Sequence, residues 1–312
     1  MDQIQHKFVD IKDLKLHVAE IGTGDKVVVF LHGFPEIWYS WRFQMIAVAK
    51  SGYRAIALDF RGYGLSEIPP EPEKTTFKDL DDDLAEILNV LEIPKAFFVG
   101  KDFGASVAYT FSILHPERVQ GVVTLGIPFI PSALVGQLFS SLPQGFYVMR
   151  WRIPGRAEAD FGRFDVKTVI KKIYIMFTSS DLQVAEDNQE VMDLVDSSTP
   201  LPSWFTEEDL STYATLYEKS GFRTPLTVPY RALPVDLGEN VPNVSVPSML
   251  IMGRGDYVLK FPGLEQYLTS GMMTQFVPNL EVTFVDEGTH FVQEQFPDKV
   301  NELLTSFLSK HA

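Results

Sequence analysis

Phe97-Phe98-Val99-Gly100-Lys101-Asp102-Phe103-Gly104-Ala105 decides the fold. An apolar run ends in Gly-x-Asp-x-Gly and passes straight into a helix-like segment. This is the pattern of a nucleophile elbow, a strand–turn–helix device that projects one reactive side chain from a sharp bend. The apex residue must hold a strained backbone. Small residues two positions to either side keep strand and helix apart, and Gly100 and Gly104 supply them, helped by Ala105. Serine usually occupies the apex; here it is Asp102. A carboxylate in that seat attacks carbon and forms an alkyl ester, not an acyl-enzyme. Aspartate is also a favoured helix N-cap, so the motif needs partners elsewhere in the chain before it reads as catalytic.

Composition sets the bounds. The 312 residues are 45% hydrophobic, enough for one large domain or a domain carrying an insertion. A net charge of −14 argues against nucleic-acid or anionic-membrane partners. The chain has no cysteine, which excludes disulfides, thiol catalysis and cysteine-based zinc sites. Met1 to Leu14 carries charges throughout and shows no signal peptide. No apolar run approaches the ~18 residues a membrane helix needs. Asn243-Val244-Ser245 fits a glycosylation sequon, but without a secretory signal it reads as chance. Lys310-His311-Ala312 is not a peroxisomal address. A cytoplasmic protein without membrane insertion is expected, acting as monomer or homodimer.

Short apolar runs alternate with amphipathic stretches, the signature of βαβ units and a mostly parallel sheet. Strands are expected at Leu14 to Glu20, Val27 to Leu31, Ala55 to Leu58, Ala96 to Val99, Val122 to Leu125, Met249 to Met252 and Val282 to Val285. Val27-Val28-Val29-Phe30-Leu31 is apolar on both faces, as a sheet covered on both sides requires. Leu80, Leu84, Ile87, Leu88 and Leu91 form one helical stripe. Around it Asp79, Asp81, Asp82, Asp83 and Glu86 are expected to form a solvated face. From about Phe129 to Pro234 strand signals give way to helical ones, with many aromatics and breaks such as Pro154-Gly155. This reads as a helical lid, residues 129–234, inserted into a core of residues 1–128 and 235–312. Inserted segments at the C-terminal edge of such a sheet lie over the ligand site.

Three further motifs bear on Asp102. His32-Gly33-Phe34-Pro35 follows the strand Val27 to Leu31 and is placed to give one oxyanion-hole amide, from Phe34, with Phe103 giving the other. Met252-Gly253-Arg254-Gly255-Asp256 puts an acid at a strand end, and Gly288-Thr289-His290-Phe291 puts a histidine at the next. Singly, each is an ordinary turn or a lone polar residue. Their order, nucleophile 102, acid 256, histidine 290, is that of the α/β-hydrolases.

At this point the chain resembles the soluble epoxide hydrolases, closest to the plant type. The resemblance rests on His32-Gly33-Phe34-Pro35-Glu36-Ile37-Trp38-Tyr39-Ser40-Trp41-Arg42, on Asp59-Phe60-Arg61-Gly62-Tyr63-Gly64-Leu65-Ser66, on the Asp elbow, and on Tyr257-Val258-Leu259-Lys260-Phe261-Pro262-Gly263. It runs from about residue 5 to residue 308. It implies the α/β-hydrolase fold: a mostly parallel eight-stranded sheet with helices on both faces and an inserted helical lid. It also implies a small apolar epoxide as partner and no cofactor or metal. The phosphatase-like N-terminal domain of some animal relatives is not expected.

In that family two lid tyrosines activate the epoxide oxygen. Sequence physics leaves five open: Tyr147, Tyr174, Tyr213, Tyr217 and Tyr230. The family patterns match Tyr147, within Gly145-Phe146-Tyr147-Val148-Met149-Arg150, and Tyr230, within Tyr230-Arg231-Ala232-Leu233-Pro234. Trp38 and Trp151 are candidates for the pocket wall. Two positions depart from the pattern. Lys101 stands where histidine is common and is expected to point away from the nucleophile. Pro229 precedes Tyr230 where an aromatic is common, and is expected to tilt the tyrosine or reshape the pocket. Two other readings stand beside this one. A haloalkane or haloacid dehalogenase shares the Asp and His chemistry but needs halide donors, often Trp or Asn beside the nucleophile. A ligand receptor on the same fold would have lost turnover.

Overall fold

The computed structural model describes residues 3–12, 14–232, 234–238 and 243–312. Eight strands form one sheet: β1 (Gln5–Ile11), β2 (Leu14–Ile21), β3 (Val27–Leu31), β4 (Arg54–Leu58), β5 (Ala96–Lys101), β6 (Val119–Leu125), β7 (Ser248–Gly253) and β8 (Leu280–Val285). Their order is β1-β2-β4-β3-β5-β6-β7-β8. β1–β2 and β2–β4 pair antiparallel; all later pairs are parallel. Every residue of β3, β5 and β7 is buried, so these strands form the floor of the core. β1 was not among the strands read from sequence. It is an edge strand whose Gln5, His6, Phe8 and Asp10 are exposed, and such a polar strand leaves little apolar signal.

Helices α1 (Arg42–Lys50), α2 (Phe77–Val90) and α3 (Phe103–Leu114) fill the crossovers of the first half. α2 starts with a reciprocal capping box between Thr76 and Asp79, which satisfies two orphan amides. Its stripe Leu80, Leu84, Ile87 and Leu88 is buried as the spacing predicts. The acidic face departs from expectation. Asp81 and Asp83 are buried: Asp83 takes Arg61 in a two-pronged ion pair, and burial pushes the Asp81 carboxyl far above the carboxylate range. A 14-residue helix lying in a crossover covers more than one stripe, so acids beside the apolar row are enclosed as well.

Between β6 and β7 the chain forms α4 (Ser132–Ser140), α5 (Tyr147–Trp151), α6 (Arg156–Phe161), α7 (Val166–Thr178), α8 (Glu207–Ser220) and α9 (Arg223–Thr227). α10 (Leu264–Thr269), α11 (Val292–Gln295) and α12 (Pro297–His311) complete the chain. The inserted helices are tied to the rest through a buried polar cluster. The Arg42 guanidinium donates to Asp209 of α8 at 2.9 Å and also binds Glu294 of α11. Tyr174 and Tyr213 donate to the other Glu294 oxygen at 3.2 and 3.1 Å, and Tyr39 donates to Asp209 at 3.0 Å. Among the described residues, Arg42 is the one cation between these two carboxylates. Arg42→Met is therefore expected to leave two buried acids uncompensated and to cost about 3–5 kcal/mol, read as a fall in the urea midpoint.

Candidate active site

The elbow is built by close approach of three backbones. β5 stops at Lys101, Asp102 takes φ 53°, ψ −128°, and α3 starts at Phe103. A non-glycine residue at positive φ is strained by about 1–3 kcal/mol and persists only where its surroundings enforce it. The Asp102 amide donates to Leu125 of β6, and its carbonyl accepts from Ala105. A Cβ on Gly104 would lie 2.4 Å from the His32 carbonyl oxygen, and one on Gly100 would lie 2.4 Å from that of Gly104. Those two positions have room for glycine only.

Asp256 follows β7 and His290 follows β8, so both reach the sheet edge where Asp102 projects. His290 Nδ1 lies 3.1 Å from both Asp256 oxygens, and Nε2 lies 3.4 Å from Asp102 Oδ2. His290 and Asp256 are buried. Burial and the nearby Lys101 charge lower the His290 pKa, but Asp256 and Asp102 more than offset them and hold it above its ordinary 6.5. Burial raises the Asp102 carboxyl; the His290 hydrogen bond and charge, the Lys101 charge and the Phe103 amide overturn that and hold it below the usual range. The Phe34 amide donates to Asp102 Oδ1 at 3.2 Å. The loop carrying it is fixed by neutral His32, whose Nδ1 donates to the Gly33 carbonyl at 2.8 Å while Nε2 accepts from the Phe60 amide at 3.1 Å. Burial pushes His32 down to about 4.

Lys101 does not point away from the site. Its side chain is fully buried and Nζ lies 3.0 Å from His290 Nε2. A residue beside the apex of a sharp turn does not simply alternate with its neighbour, because the bend swings both side chains toward the sheet edge.

A mostly apolar cavity of ≈ 150 Å³ extends from Asp102 between the inserted helices and the sheet. Tyr147 and Tyr230 both line it with Asp102; their rings meet edge to face at 5.8 Å. The other three tyrosines left open by sequence are tied elsewhere: Tyr174 and Tyr213 to Glu294, and Tyr217 to the Glu36 carbonyl. Burial raises both cavity phenols well above their ordinary value, so they stay protonated donors. Pro229 lines the cavity beside Tyr230 and follows a cis peptide bond; Leu233 of the same motif lies outside the described residues.

Neither tryptophan lines the cavity. Trp38 belongs to a short 3-10 turn facing β1 and β2, where its ring packs on His6, His17 and Tyr39. Trp151 stands behind the wall, its ring 4.9 Å from Tyr147, 5.1 Å from Tyr230 and 5.8 Å from Phe34. It backs the tyrosines instead of meeting a ligand.

Three residues of the site went unread. The Tyr257 hydroxyl lies 2.8 Å from that of Tyr147, and its ring is 5.1 Å from His290. Glu36 is fully buried, binds Gln293, and is pushed up to about 7 by burial against the opposing charge of Lys101. Gly126, after β6, has φ +80°; a Cβ there would sit 2.9 Å from Lys101 Nζ and 3.4 Å from Asp256 Oδ2 and His290 Cε1. Tyr257 and Glu36 stood inside quoted motifs, but only as pattern, and Gly126 carried no signal. Among the described residues, no cluster of three or more His, Cys, Asp or Glu side chains is arranged to hold a metal ion, and no helix is long and apolar enough to cross a membrane.

Residues 26–297 match the alpha/beta hydrolase fold family. Epoxide hydrolase 2 of Siraitia grosvenorii is 36% identical over 99% of this chain and 100% of its own. The structure of potato (Solanum tuberosum) epoxide hydrolase I superposes with a TM-score of 0.90 at 32% identity, over 98% of this chain and 99% of that one. A Vigna radiata epoxide hydrolase mutant gives 0.92 at 32% identity, over 99% and 100%.

Gly126 tests how tightly the charged groups are packed. Gly126→Ala is expected to fold but to lose about 1–2 kcal/mol through left-handed backbone strain. The new methyl group should also displace Lys101. The urea midpoint reads the first effect, and the His290 imidazole resonances read the second.

Proposed function

The chain belongs to the epoxide hydrolases of the α/β-hydrolase fold, and we propose that it opens an apolar epoxide to a vicinal diol through an ester on Asp102. One observation carries this reading. An ionised carboxylate on a strained turn faces a cavity that two protonated phenols, Tyr147 and Tyr230, also line. A nucleophile and hydrogen-bond donors sharing one apolar cavity is the combination that opens a three-membered ether.

In the first step an Asp102 oxygen attacks an epoxide carbon while Tyr147 and Tyr230 donate to the ring oxygen and stabilise the developing alkoxide. In the second, His290 takes a proton from water, and the hydroxide adds to the Asp102 carbonyl carbon. Asp256 holds the imidazole with Nδ1–H toward it and stabilises the imidazolium. The amide of Phe34, already 3.2 Å from Asp102 Oδ1, and that of Phe103 then receive the oxyanion. His290 returns its proton to the alkyl oxygen that leaves the ester, the water's second hydrogen passes from the Asp102 carboxyl to the alkoxide, and the diol leaves with Asp102 again a carboxylate. Serine at the apex would give an inert ether with an epoxide, whereas an aspartyl ester is hydrolysable. The inserted segment, residues 129–234, acts as the cap that supplies the tyrosines, and a cavity walled by Phe129, Val135, Leu138, Val235 and Phe261 favours apolar substrates. The dehalogenase reading lacks its donors: no Trp or Asn is among the described residues lining the cavity.

Asp102→Ala is expected to abolish both turnover and covalent labelling by an aryl epoxide; retention of more than a few per cent of activity would point to direct water attack. In a single turnover in ¹⁸O-water, label should enter Asp102 and be absent from the first diol. Tyr147→Phe and Tyr230→Phe should each slow ester formation roughly 10²-fold in rapid-quench assays. Because the His290 pKa is raised, the base is lost as pH falls through that raised value. In the free enzyme, where Asp102 is ionised, the His290 imidazole titration followed by NMR should therefore have its midpoint above the ordinary value of 6.5.

A further inference from the structure

Among the described residues, Lys101 is the one charged group in contact with the proposed base that the two chemical steps leave without a role. Its side chain is fully enclosed. Nζ sits 3.0 Å from His290 Nε2, the atom that also faces Asp102 Oδ2 at 3.4 Å. An ammonium can only donate. In the neutral ring a hydrogen bond from Lys101 requires Nε2 to present its lone pair and the ring hydrogen to sit on Nδ1, toward Asp256 at 3.1 Å. That is the tautomer a general base requires. The hydrogen bond to Asp102 belongs to the doubly protonated ring. A doubly protonated ring would set two donors and two positive charges against each other across 3.0 Å.

Nε2 has a single lone pair, so Lys101 and an attacking water cannot both use it. We propose that Lys101 is a positioning residue for the hydrolytic half of the reaction: it caps Nε2 of neutral His290 while the ester forms, then yields that lone pair to the water that cleaves the ester. The proposal rests on the Asp102 ester reading above. Lys101 keeps its three protons throughout. One water proton passes to Nε2, the water oxygen bonds to the Asp102 carbonyl carbon, the bond from that carbon to the alkyl oxygen breaks, that oxygen takes the proton from His290, and the second water hydrogen passes from the Asp102 carboxyl to the alkoxide left by ring opening.

Several groups face this pair. Asp256 comes from the turn after β7, Asp102 from the elbow, and Glu36 from the loop after β3, with Glu294 of α11 behind it. The rings of Tyr257, Phe291 and Phe177 close the remaining sides at 5.1, 5.5 and 5.9 Å. Burial and the Lys101 charge both act to keep the imidazole neutral, against the two aspartates. Removing the cation removes one of those two influences, so His290 should stay protonated to higher pH and its use as a base should begin later.

The test is a rapid-quench single turnover with styrene oxide across pH, comparing wild type, Lys101→Met and Lys101→Arg, with Lys101→Gln as the second neutral variant should Met unsettle the fold. In parallel the His290 imidazole nitrogens are titrated by NMR, assigned with His290→Asn. In the neutral variants ester formation should fall far less than hydrolysis. At pH about 6 hydrolysis should drop roughly tenfold, its acid limb should move to higher pH, and ester should accumulate. Lys101→Arg should restore the limb by restoring the charge. The proposal is overturned if a folded neutral variant keeps the wild-type limb and the wild-type His290 titration, or if both half-reactions fall in proportion with no change in limb, which a packing role alone would give. Absence of any Asp102 ester in the wild type would overturn the ester reading instead, and the imidazole titration would still report on its own whether Lys101 controls His290.

Discussion

The positive-φ turn at Asp102 is the constraint on which the rest of the molecule depends. It is held there by three neighbours at once: β6 accepts its amide hydrogen, the first turn of α3 donates to its carbonyl, and β3 runs close enough that only glycine fits at position 104. None of these alone would sustain a non-glycine residue in that conformation. Together they convert a parallel sheet into a rigid mount whose side chain leaves the bend toward the cavity. The order of strands then places the acid and the histidine on the two strands beyond β6, at the same edge.

A second constraint is charge balance in a buried space. Asp102, Asp256 and Glu36 are gathered around one ammonium and one imidazole. In low dielectric each ionised group is tolerated only through its partners. Asp102 remains a carboxylate because His290, Lys101 and two backbone amides favour its charge. Glu36 has weaker support, with one oxygen on Gln293 and the other without a partner among the described residues, and burial drives it upward to about 7. The same enclosure that leaves Asp102 ionised thus ranks its neighbours by how readily each holds a charge.

The inserted helices meet the sheet through polar contacts as well as apolar ones. Glu294 collects Arg42, Tyr174 and Tyr213, and the Tyr63 hydroxyl donates to the Val228 carbonyl at 2.7 Å, two residues before Tyr230. This anchoring fixes where Tyr147 and Tyr230 stand relative to Asp102. Trp151 contributes from behind, as a fully buried ring against both tyrosines and Phe34. Aromatic residues that a sequence offers as pocket lining are thus divided between those that face a ligand and those that hold the first group in place.

The sequence by itself determined the mount. Strand runs, the two glycines about Asp102, and the order of residues 102, 256 and 290 are local or ordinal features, readable because hydrophobic periodicity and turn chemistry act over a few residues. β1 escaped because an exposed edge strand carries little of that periodicity. The family patterns had already singled out Tyr147 and Tyr230; only the tertiary structure tied Tyr174, Tyr213 and Tyr217 away from the cavity, sent Trp38 away from it, enclosed Asp81 and Asp83, and turned Lys101 onto His290. Each of these depends on which side chain faces which across elements tens to hundreds of residues apart. That is set by how helices seat on the sheet and how a bend redirects a side chain, and no local pattern encodes either.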